Sequence, residues 1–432
     1  MKWFPAFSGW LFLASTGAAC GPGSVGTVHP IATTNGSTAT GSTATSGAGG
    51  TSGDTSTTTG NSTGTTSSTT IGTSTTSGAG GQPMPPPHTV GTCDNLAAPG
   101  TWEEITPPIP GTSPDVDPGQ GTKWASATVV ADPKNSGTIF VPIGRAGIWK
   151  STNCGSTWTK ITTGTNGAWL DTGIQFVLRV VPNTPDYIFY VDNFGGNPLP
   201  LLKSTTSGRD WSTLYGSDIQ KAVDLMAYGQ DLSLEPANPQ HLLACFHANC
   251  NAPLPGSCLG ESTDGGATWQ LVPGPLGSWA EGARPYFINA TTWLLACHEG
   301  LYLSTNRGAA WQKVAQSGGF AGLYQTASGL YVLASDQGIL RSQDGLSWTL
   351  IANSPKASTL MGTGKSLFAG DIFASGADVL WTAPEGDPSN WTKVSTPTMA
   401  GNGGPWGLDY DKDHNVLYSA NYHSGMWRMV IP

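Results

Sequence analysis

Short apolar runs alternate with polar, turn-forming links from about residue 94 to the end of the chain. Residues 127–131 and 138–142 form one such pair, joined by a link at 132–135 that contains Asp, Pro and Asn. Residues 177–181 and 187–191 form a second pair around another link that contains Pro. Runs of this length, bounded by these residue types, are typical of β-strands joined by tight turns. The pattern predicts an all-β fold made of antiparallel hairpins.

A tryptophan followed three residues later by an aliphatic residue recurs seven times in this region, at intervals of 37 to 58 residues. Further strand-like runs precede each copy after the first, so one repeat has room for four strands. That is the size of a propeller blade rather than of a unit in a helical solenoid. The sequence therefore predicts a seven-bladed β-propeller with four-stranded antiparallel blades over residues 93–432. The copies begin at Trp102, Trp158, Trp211, Trp269, Trp311, Trp348 and Trp391.

The two ends of this region complement each other. Residues Gly425 to Met429 have the sequence of a third strand, and no fourth strand follows them. Residues Trp102 to Ile105 have the sequence of a fourth strand with no blade before it. We expect the N-terminal strand to complete the last blade, because pairing removes the open sheet edge that the ring would otherwise carry.

The turn before each tryptophan carries a second motif. Residues Ser262 to Trp269, Ser-Thr-Asp-Gly-Gly-Ala-Thr-Trp, resemble the Asp box (Ser-x-Asp-x-Gly-x-Thr-Trp) of sialidases and other BNR-repeat β-propellers, and the other turns are variants of it. Hydroxyl and carboxylate side chains satisfy turn amides, and the glycine permits the turn. In the family these boxes lie on the face opposite the ligand, so the resemblance implies a structural role. The residues concerned are Ser151, Asn153, Ser262, Asp264, Ser304, Asn306, Ser342 and Asp344.

Residues 94–432 resemble, in their pattern of repeats and turn motifs, the Asp-box propellers that include the xyloglucanase-type glycoside hydrolases. Two departures limit what this resemblance implies. The xyloglucanase-type family has an acidic residue just before the Gly-Gly-aromatic run of its first blade, and the matching stretch from Ile143 to Trp149 has none. Sialidases clamp a carboxylate with three arginines, but Arg209, Arg307 and Arg341 lie in or beside the boxes here. The second departure argues against a sialidase.

Polar residues end every predicted second strand, where a propeller places part of its ligand face. These side chains should converge on one mouth around the axis. Four of them, Asp192, Glu299, Asp336 and Asp371, are candidates for the pair of carboxyl groups that glycoside hydrolysis needs. The alternative is that the ends of solvated strands are polar without any further role. The remaining candidates for ligand binding at this mouth are Arg145, His247, His298 and His423.

Four tryptophans are not explained by the repeat: Trp124, Trp169, Trp279 and Trp406. Each stands in or at the end of a Gly-rich loop that carries acids or amides. Exposed indole faces beside carboxylates bind pyranose rings, so all four are ligand-binding candidates. The alternative for Trp124 and Trp406 is that they fill the axial channel.

The N-terminus has the pattern of a secretory signal. Residues 1–20 begin with one Lys, continue through an apolar core and end in small residues before Cys20. The ending Gly17-Ala18-Ala19-Cys20 resembles the bacterial lipobox, in which the Cys is lipidated and becomes the mature N-terminus. The family usually has Leu where Gly17 stands, so cleavage after Ala19 by an ordinary signal peptidase is the alternative.

A linker follows the signal over residues 21–92. Of the 50 residues from 31 to 80, 40 are Gly, Ser or Thr. Such a segment cannot bury enough apolar surface to offset the entropy of ordering it, so we expect a disordered Gly/Ser/Thr/Pro tether. A tether of this kind suits a propeller displayed on an anchor.

Composition excludes several function classes. The 432 residues carry 19 Lys and Arg against 28 Asp and Glu, a formal net charge of −9. An acidic chain without a basic run does not release counterions from nucleic acid, so we expect no nucleic-acid partner. We expect contact with a membrane only through the lipid anchor, because no internal apolar run is long enough to span a bilayer. The chain has no phosphate loop or dinucleotide fingerprint, and we expect no cofactor and no metal.

Seven cysteines in a weakly charged chain favour export to an oxidising compartment. Cys250 and Cys258 lie on either side of a Pro- and Gly-containing return turn, and we predict a disulfide there. Cys93 should likewise reach Cys154 in the first blade. Cys245 and Cys297 occupy the same strand position in successive blades and are interpreted as buried apolar residues rather than metal ligands.

These features favour an exported, lipid-anchored, monomeric propeller that binds a glycan or another extracellular ligand, and the sequence leaves open whether it also hydrolyses polysaccharide as a xyloglucanase-like glycoside hydrolase. We expect it in the bacterial cell envelope, on the outer surface or in the periplasm, or secreted if Cys20 is not lipidated. The alternative is a non-catalytic platform for protein interaction or assembly. A deep mouth with two opposed acids favours the enzyme, and a flat or plugged face favours the platform.

Overall fold

Seven four-stranded antiparallel sheets and one two-stranded parallel ribbon make up the fold. The computed structural model describes residues 88–109, 128–171, 175–182, 184, 186–192, 201–214, 228–249, 257–275, 283–297, 299–318, 322–399, 404–421 and 424–432. The seven sheets are the blades of a β-propeller, which confirms the predicted fold class. Within these ranges, no helix is long and apolar enough to cross a membrane. The predictions for the signal and for Cys20, Trp124, Trp279, His298, His423 and Cys250 fall outside them.

In blades 1 to 6 the strands pair in chain order, and first strands of neighbouring blades contact one another around the axis. Blade 1 consists of β3 (Val130–Ala131), β5 (Ile139–Ile143), β6 (Gly147–Ser151) and β7 (Thr159–Lys160). Blade 2 consists of β8 (Gln175–Val180), β9 (Ile188–Asp192), β10 (Leu201–Ser204) and β11 (Ser212–Thr213). Blade 3 consists of β12 (Tyr228–Glu235), β13 (Asn238–Asn249), β14 (Ser257–Ser262) and β15 (Gln270–Pro273). Blade 4 consists of β16 (Arg284–Phe287), β17 (Trp293–Cys297), β18 (Gly300–Ser304) and β19 (Gln312–Ala315). Blade 5 consists of β20 (Leu323–Gln325), β21 (Tyr331–Ser335), β22 (Gly338–Ser342) and β23 (Thr349–Leu350). Blade 6 consists of β24 (Thr359–Gly362), β25 (Ser366–Gly370), β26 (Leu380–Pro384) and β27 (Thr392–Val394).

Blade 7 is closed by the N-terminal strand. It consists of β28 (Pro405–Asp411), β29 (Val416–Asn421), β30 (Gly425–Val430) and, on its outer edge, β2 (Trp102–Glu104). Strands β2 and β30 are antiparallel, with Trp102 opposite Met429. The predicted closure of the ring by its own N-terminus is therefore confirmed. The Trp102 indole also donates to the carbonyl of Ser395 at 2.8 Å, which ties blade 7 to blade 6.

The segment before β2 is bound to blade 1. Strand β1 (Thr89–Val90) pairs in parallel with β4 (Asn135–Ser136), and Cys93 forms a disulfide with Cys154, with the two Cα atoms 5.4 Å apart. His88 already contacts the propeller, five residues before the predicted domain start at Cys93. Cys245 and Cys297 are buried and free.

The core is divided into seven clusters, each at the interface between two neighbouring blades. Strand alternation explains this arrangement, because successive side chains point to opposite faces of a blade. In β5, Ile139 and Val141 face blade 7, while Phe140 faces blade 2. Each second strand is therefore apolar on both sides, as the continuous apolar runs in the sequence indicated.

The spacing of the repeat has a packing cause. In four of the seven copies, the aliphatic residue three positions after the repeat tryptophan contacts a glycine in the turn of the next blade. A β-carbon added at Gly266 would lie 2.7 Å from Cδ2 of Leu214, so only glycine lets the two blades approach this closely. The same contact joins Gly155 with Ile105, Gly208 with Ile161, and Gly308 with Val272.

Five of the turns between third and fourth strands, which we call the repeat turns, share one hydrogen-bond pattern. In blade 3, Ser262 Oγ accepts the Gly266 amide at 2.8 Å and Asp264 Oδ1 accepts the Thr268 amide at 2.9 Å. Thr206 Oγ1 accepts in the place of the carboxylate in blade 2. The side-chain oxygens in these turns accept hydrogen bonds from backbone amides of the same turn. In blade 3, the hydrogen bonds from Thr268 hold the pKa of Asp264 below its usual value. The serines at the start of the five turns are Ser151, Ser204, Ser262, Ser304 and Ser342.

Candidate functional site

The propeller has two faces that differ in their loops. Each third strand runs from the turn after the second strand to the repeat turn, so these two sets of turns lie on opposite faces. We call them the mouth face and the turn face. The candidate catalytic and ligand-binding residues that the structure describes outside the first strands come from the mouth-face loops or from the strands that lead into them.

Asp371 is a predicted residue with hydrogen bonds and nearby charged groups around its carboxylate. It follows β25 directly and is partly buried. Its Oδ1 accepts the Phe373 amide at 3.0 Å, and the Ser358 hydroxyl also bonds to the carboxylate. Burial chiefly raises the pKa of Asp371, and the negative charge of Asp336 raises it further, against the opposing effects of the Phe373 amide, Lys356 and Ser358. Asp371 therefore keeps its proton to a higher pH than an ordinary aspartate does.

Asp336 lies on the neighbouring blade, in the turn between β21 and β22. The link from blade 5 to blade 6 holds the two turns side by side. Its Ala357 amide donates to the carbonyl of Ser335 at 3.2 Å, and its Ser358 amide donates to the carbonyl of Gly370 at 2.8 Å. This backbone bridge brings two of the four predicted carboxylates together.

Phe373 completes the group and was not predicted from the sequence. Its side chain is 48% exposed, two residues beyond Asp371. The sequence offers one sign of it: Phe373 is an aromatic residue in a mouth-face loop whose next residues, Ala374-Ser375-Gly376, are small. We call Asp336, Lys356, Ser358, Asp371 and Phe373 the Asp371 cluster.

The other predicted residues are spread around the ring. Arg145 is exposed in the turn after β5, at a φ of 59°. Glu299 is exposed beside Cys297; burial chiefly, and then Glu299, raises the pKa of that thiol to about 12. Asp192 is the last residue of β9, and His247 lies near the C-terminal end of β13.

The two described loop tryptophans have packing roles. Trp169 lies in a 3-10 helix (Gly167–Asp171) and packs, partly buried, against the cluster between blades 1 and 2. Trp406 lies in β28 of blade 7, yet it packs against the cluster between blades 2 and 3. Contact from blade 7 to that interface requires the indole to reach across the axial channel. For Trp406, the geometry supports the alternative that it fills the channel.

Charged side chains also line the axis, which the sequence reasoning missed. Asp231 in β12 accepts from Arg179 of β8 and from Arg284 of β16, both at 2.9 Å. These three first strands belong to blades 2, 3 and 4. The sequence does carry a signal for them: each is a charged residue within a predicted first strand, where buried positions are otherwise apolar.

Two cavities on the turn face are lined by residues that already have partners. One of about 410 Å³ lies beside Glu261 and Arg307, whose carboxylate and guanidinium are 2.6 Å apart. One of about 330 Å³ lies beside Lys203, whose ammonium donates to the carbonyl of Gly265 at 3.2 Å. Also on this face, Cys93, Cys154, Asp411 and His414 are the only described group of residue types that could hold a metal ion.

Comparison with solved structures supports the fold. An ancestral GH74 enzyme is similar over 76% of this chain and 46% of its own, with 16% identity and a TM-score of 0.50. YCF48 from Cyanidioschyzon merolae is similar over 60% of this chain and 87% of its own, with 15% identity and a TM-score of 0.40. YCF48 bound to D1 peptide is similar over 80% of this chain and 100% of its own, with 12% identity and a TM-score of 0.46.

The chain spans less than half the length of the ancestral GH74 enzyme. At this identity the likeness concerns the propeller fold alone. No protein-family model and no curated protein sequence matches the chain.

Proposed function

We propose that this propeller is an exported, lipid-anchored protein that binds a glycan on its mouth face at blades 5 and 6. The observation that carries the proposal is the Asp371 cluster, in which a carboxylic acid with a raised pKa lies beside a second carboxylate and an exposed aromatic ring. Pyranose rings stack their C–H faces on aromatic side chains and donate hydroxyls to carboxylates. The cluster supplies both kinds of contact within one pair of blades.

The same pair of acids suits glycoside hydrolysis. That reaction needs one carboxyl group that gives a proton to the leaving oxygen and a second that acts as base or nucleophile. Asp371 fits the proton donor because burial raises its pKa. Asp336 supplies the second carboxyl group. This assignment does not need the acidic residue of the first blade that the xyloglucanase-type pattern has and this chain lacks.

A protein ligand is the second candidate. The exposed ring of Phe373 with the exposed Lys356 nearby offers an aromatic anchor and a charged rim, the composition that protein interfaces favour. YCF48, one of the similar structures, is seen with a peptide bound. On this reading the mouth face is an assembly platform, and Asp371 and Asp336 make contacts without chemistry.

A screen of plant, fungal and bacterial polysaccharides tests the proposal. Wild type, Asp336→Asn and Asp371→Asn are compared for retention on each polysaccharide and for release of reducing sugar. For an enzyme, Asp371→Asn should lower release by roughly 10²-fold or more and change retention by only a few-fold. Asp264→Asn in a repeat turn is the control on the opposite face, expected to weaken its blade without changing ligand preference. Retention of none of the polysaccharides by wild type would contradict the glycan proposal and favour the platform.

A further inference from the structure

The seam between blade 7 and blade 1 carries a cluster of four groups that metals bind. Cys93 comes from the segment before the closing strand, Cys154 from the repeat turn of blade 1, and Asp411 and His414 from the turn between β28 and β29. One ligand atom from each residue lies within 4.8 Å of all the others. With zinc bonds of about 2.0–2.3 Å, neighbouring ligand atoms in a tetrahedral site are roughly 3.3–3.8 Å apart. The two sulfurs are bonded to each other here, so reaching this geometry requires reduction of the disulfide and separation of the sulfurs to that spacing.

His414 is oriented as a metal ligand is. Its Nε2 lies 2.9 Å from the carbonyl oxygen of Gly91, so that nitrogen carries the hydrogen and donates it. A histidine that ligates a metal usually donates its other ring nitrogen to a carbonyl or carboxylate in this way. The remaining nitrogen, Nδ1, points at Oδ2 of Asp411 at 2.9 Å. The Ser136 hydroxyl lies 3.1 Å from the same nitrogen. Either a proton or a metal ion can lie between Nδ1 and the carboxylate.

Asp411 is held in place by the blade-1 side of the seam. Its carboxylate accepts from the Ser136 hydroxyl and, at 2.6 Å, from the Gly137 amide. These two hydrogen bonds fix the carboxylate beside His414 and the two cysteines.

Gly137 leaves the space that the cluster uses. Its φ is 84°, and an added β-carbon would lie 3.4 Å from Sγ of Cys93 and 3.5 Å from Cε1 of His414. A longer side chain at this position would press on two of the four ligand residues. The glycine, the Gly91 carbonyl and the Ser136 hydroxyl thus form the surroundings of a compact site.

We propose that Cys93, Cys154, Asp411 and His414 form a zinc site when the Cys93–Cys154 disulfide is reduced. Disulfide and zinc are then alternative ways to close the same seam. A phosphine reductant transfers two electrons to the disulfide and becomes a phosphine oxide with oxygen from water, leaving two thiols. Zinc binding to the two sulfurs, to His414 Nδ1 and to Asp411 releases the two thiol protons to solvent. Both closures fix the N-terminal segment to blade 1 beside the strand that completes the ring.

The first experiment uses the unmodified full-length chain and cobalt, which reports thiolate ligation through its absorption spectrum. After phosphine reduction, Co²⁺ should give a thiolate charge-transfer band and visible bands of tetrahedral intensity. Added Zn²⁺ should abolish these bands at one equivalent per chain. The oxidised chain should give none of them. A reduced chain that shows no thiolate band would overturn the proposal without recourse to any variant.

Variants then assign the band to this cluster. Cys93→Ser and His414→Ala should each lower zinc affinity in the reduced protein by roughly 100-fold or more. Cys297→Ser is the matched control, because it removes another buried free thiol that lies on the mouth face. It should leave the affinity unchanged. Circular dichroism checks that each variant is folded. Zinc binding that survives both Cys93→Ser and His414→Ala, or that is lost in Cys297→Ser, would place the metal elsewhere and refute the assignment.

Discussion

Arg428 donates a hydrogen bond of 2.9 Å from its Nε to Oε2 of Glu103, across the strand pair that closes the ring. Its Nη1 also donates to the carbonyl of Cys154 at 2.8 Å and to the hydroxyl of Ser156 at 3.0 Å. One guanidinium on the third strand of blade 7 therefore contacts both the N-terminal strand and blade 1. A planar group with five donors suits this position better than an ammonium.

Arg428→Met should lower the free energy of unfolding by about 1–3 kcal/mol. The substitution keeps apolar volume but leaves the Cys154 carbonyl without its donor, and buried groups that lose a partner cost about this much. Arg209→Met is the control, because Arg209 is 65% exposed and pairs with its neighbour Asp210, and pairs of that kind contribute roughly 0–1 kcal/mol. Urea unfolding measures both. Equal losses for the two variants would mean that Arg428 adds nothing specific to closure.

The contact between Gly266 and Leu214 predicts a second effect. Gly266→Ala forces an L-residue to a φ of 88° and drives its β-carbon into Leu214. Gly329→Ala is a matched control, because Gly329 has a φ of 85° and no atom within 4 Å of an added β-carbon. The control should cost roughly 1–2 kcal/mol for the left-handed backbone alone.

Gly266→Ala should cost at least about 1 kcal/mol more than the control, since overpacking adds to the backbone term. Adding Leu214→Ala makes room for the new methyl group, so the double variant should show coupling between the two positions. Chemical unfolding of Gly266→Ala, Leu214→Ala, the double variant and the Gly329→Ala control provides the comparison. An additive double variant would show that the blades do not depend on this contact.

Asp409 predicts a pH dependence of stability. Its carboxylate accepts the Ala131 and Tyr410 amides, each at 2.8 Å, but burial dominates and raises its pKa to about 6. In the unfolded chain this carboxyl has the usual aspartate pKa of 3.8. Between about pH 4 and pH 6 the native state therefore binds more protons than the unfolded state. Stability due to this group falls as pH rises through that window and stays constant above it.

Asp409→Asn removes the titration. The free energy of unfolding of the variant minus that of wild type should be roughly 1–3 kcal/mol larger at pH 7.5 than at pH 4. Taking the difference between the two pH values cancels any fixed cost of replacing an acceptor oxygen by an amide. Unfolding curves of both proteins at the two pH values give the result. A difference of zero would show that the carboxylate is not perturbed in the folded protein.

The sequence predicted the blades well because their cause is local and repeated. Four of the seven Trp-x-x-aliphatic copies make the same contact with a glycine of the next blade, so a period in the chain corresponds to a period in the fold. Closure by Trp102–Glu104 followed from counting strands at the two ends. Alternating burial then placed an apolar cluster at each blade interface.

The site was less predictable because it depends on the paths of loops. Asp336 and Asp371 were both named from strand ends, but their pairing arises from the backbone bridge through Ala357 and Ser358. Phe373 had no period to mark it. Asp411 and His414 reach Cys93 only because the ring closes, and the hydrogen bond of His414 to Gly91 spans 323 positions in the sequence.

The last prediction concerns Phe373 as the aromatic contact for the ligand. Phe373→Ala should weaken binding by roughly 1–3 kcal/mol, the scale of losing one aromatic anchor. Its stability should stay within about 0.5 kcal/mol of wild type, because a ring that is 48% exposed contributes little to the core. Leu346→Ala is the matched control: Leu346 is 41% exposed but lies in the repeat turn of blade 5, on the opposite face. Titration calorimetry with a retained oligosaccharide, alongside thermal unfolding, separates the two quantities. If Leu346→Ala weakens binding and Phe373→Ala does not, the ligand lies on the turn face rather than at the mouth.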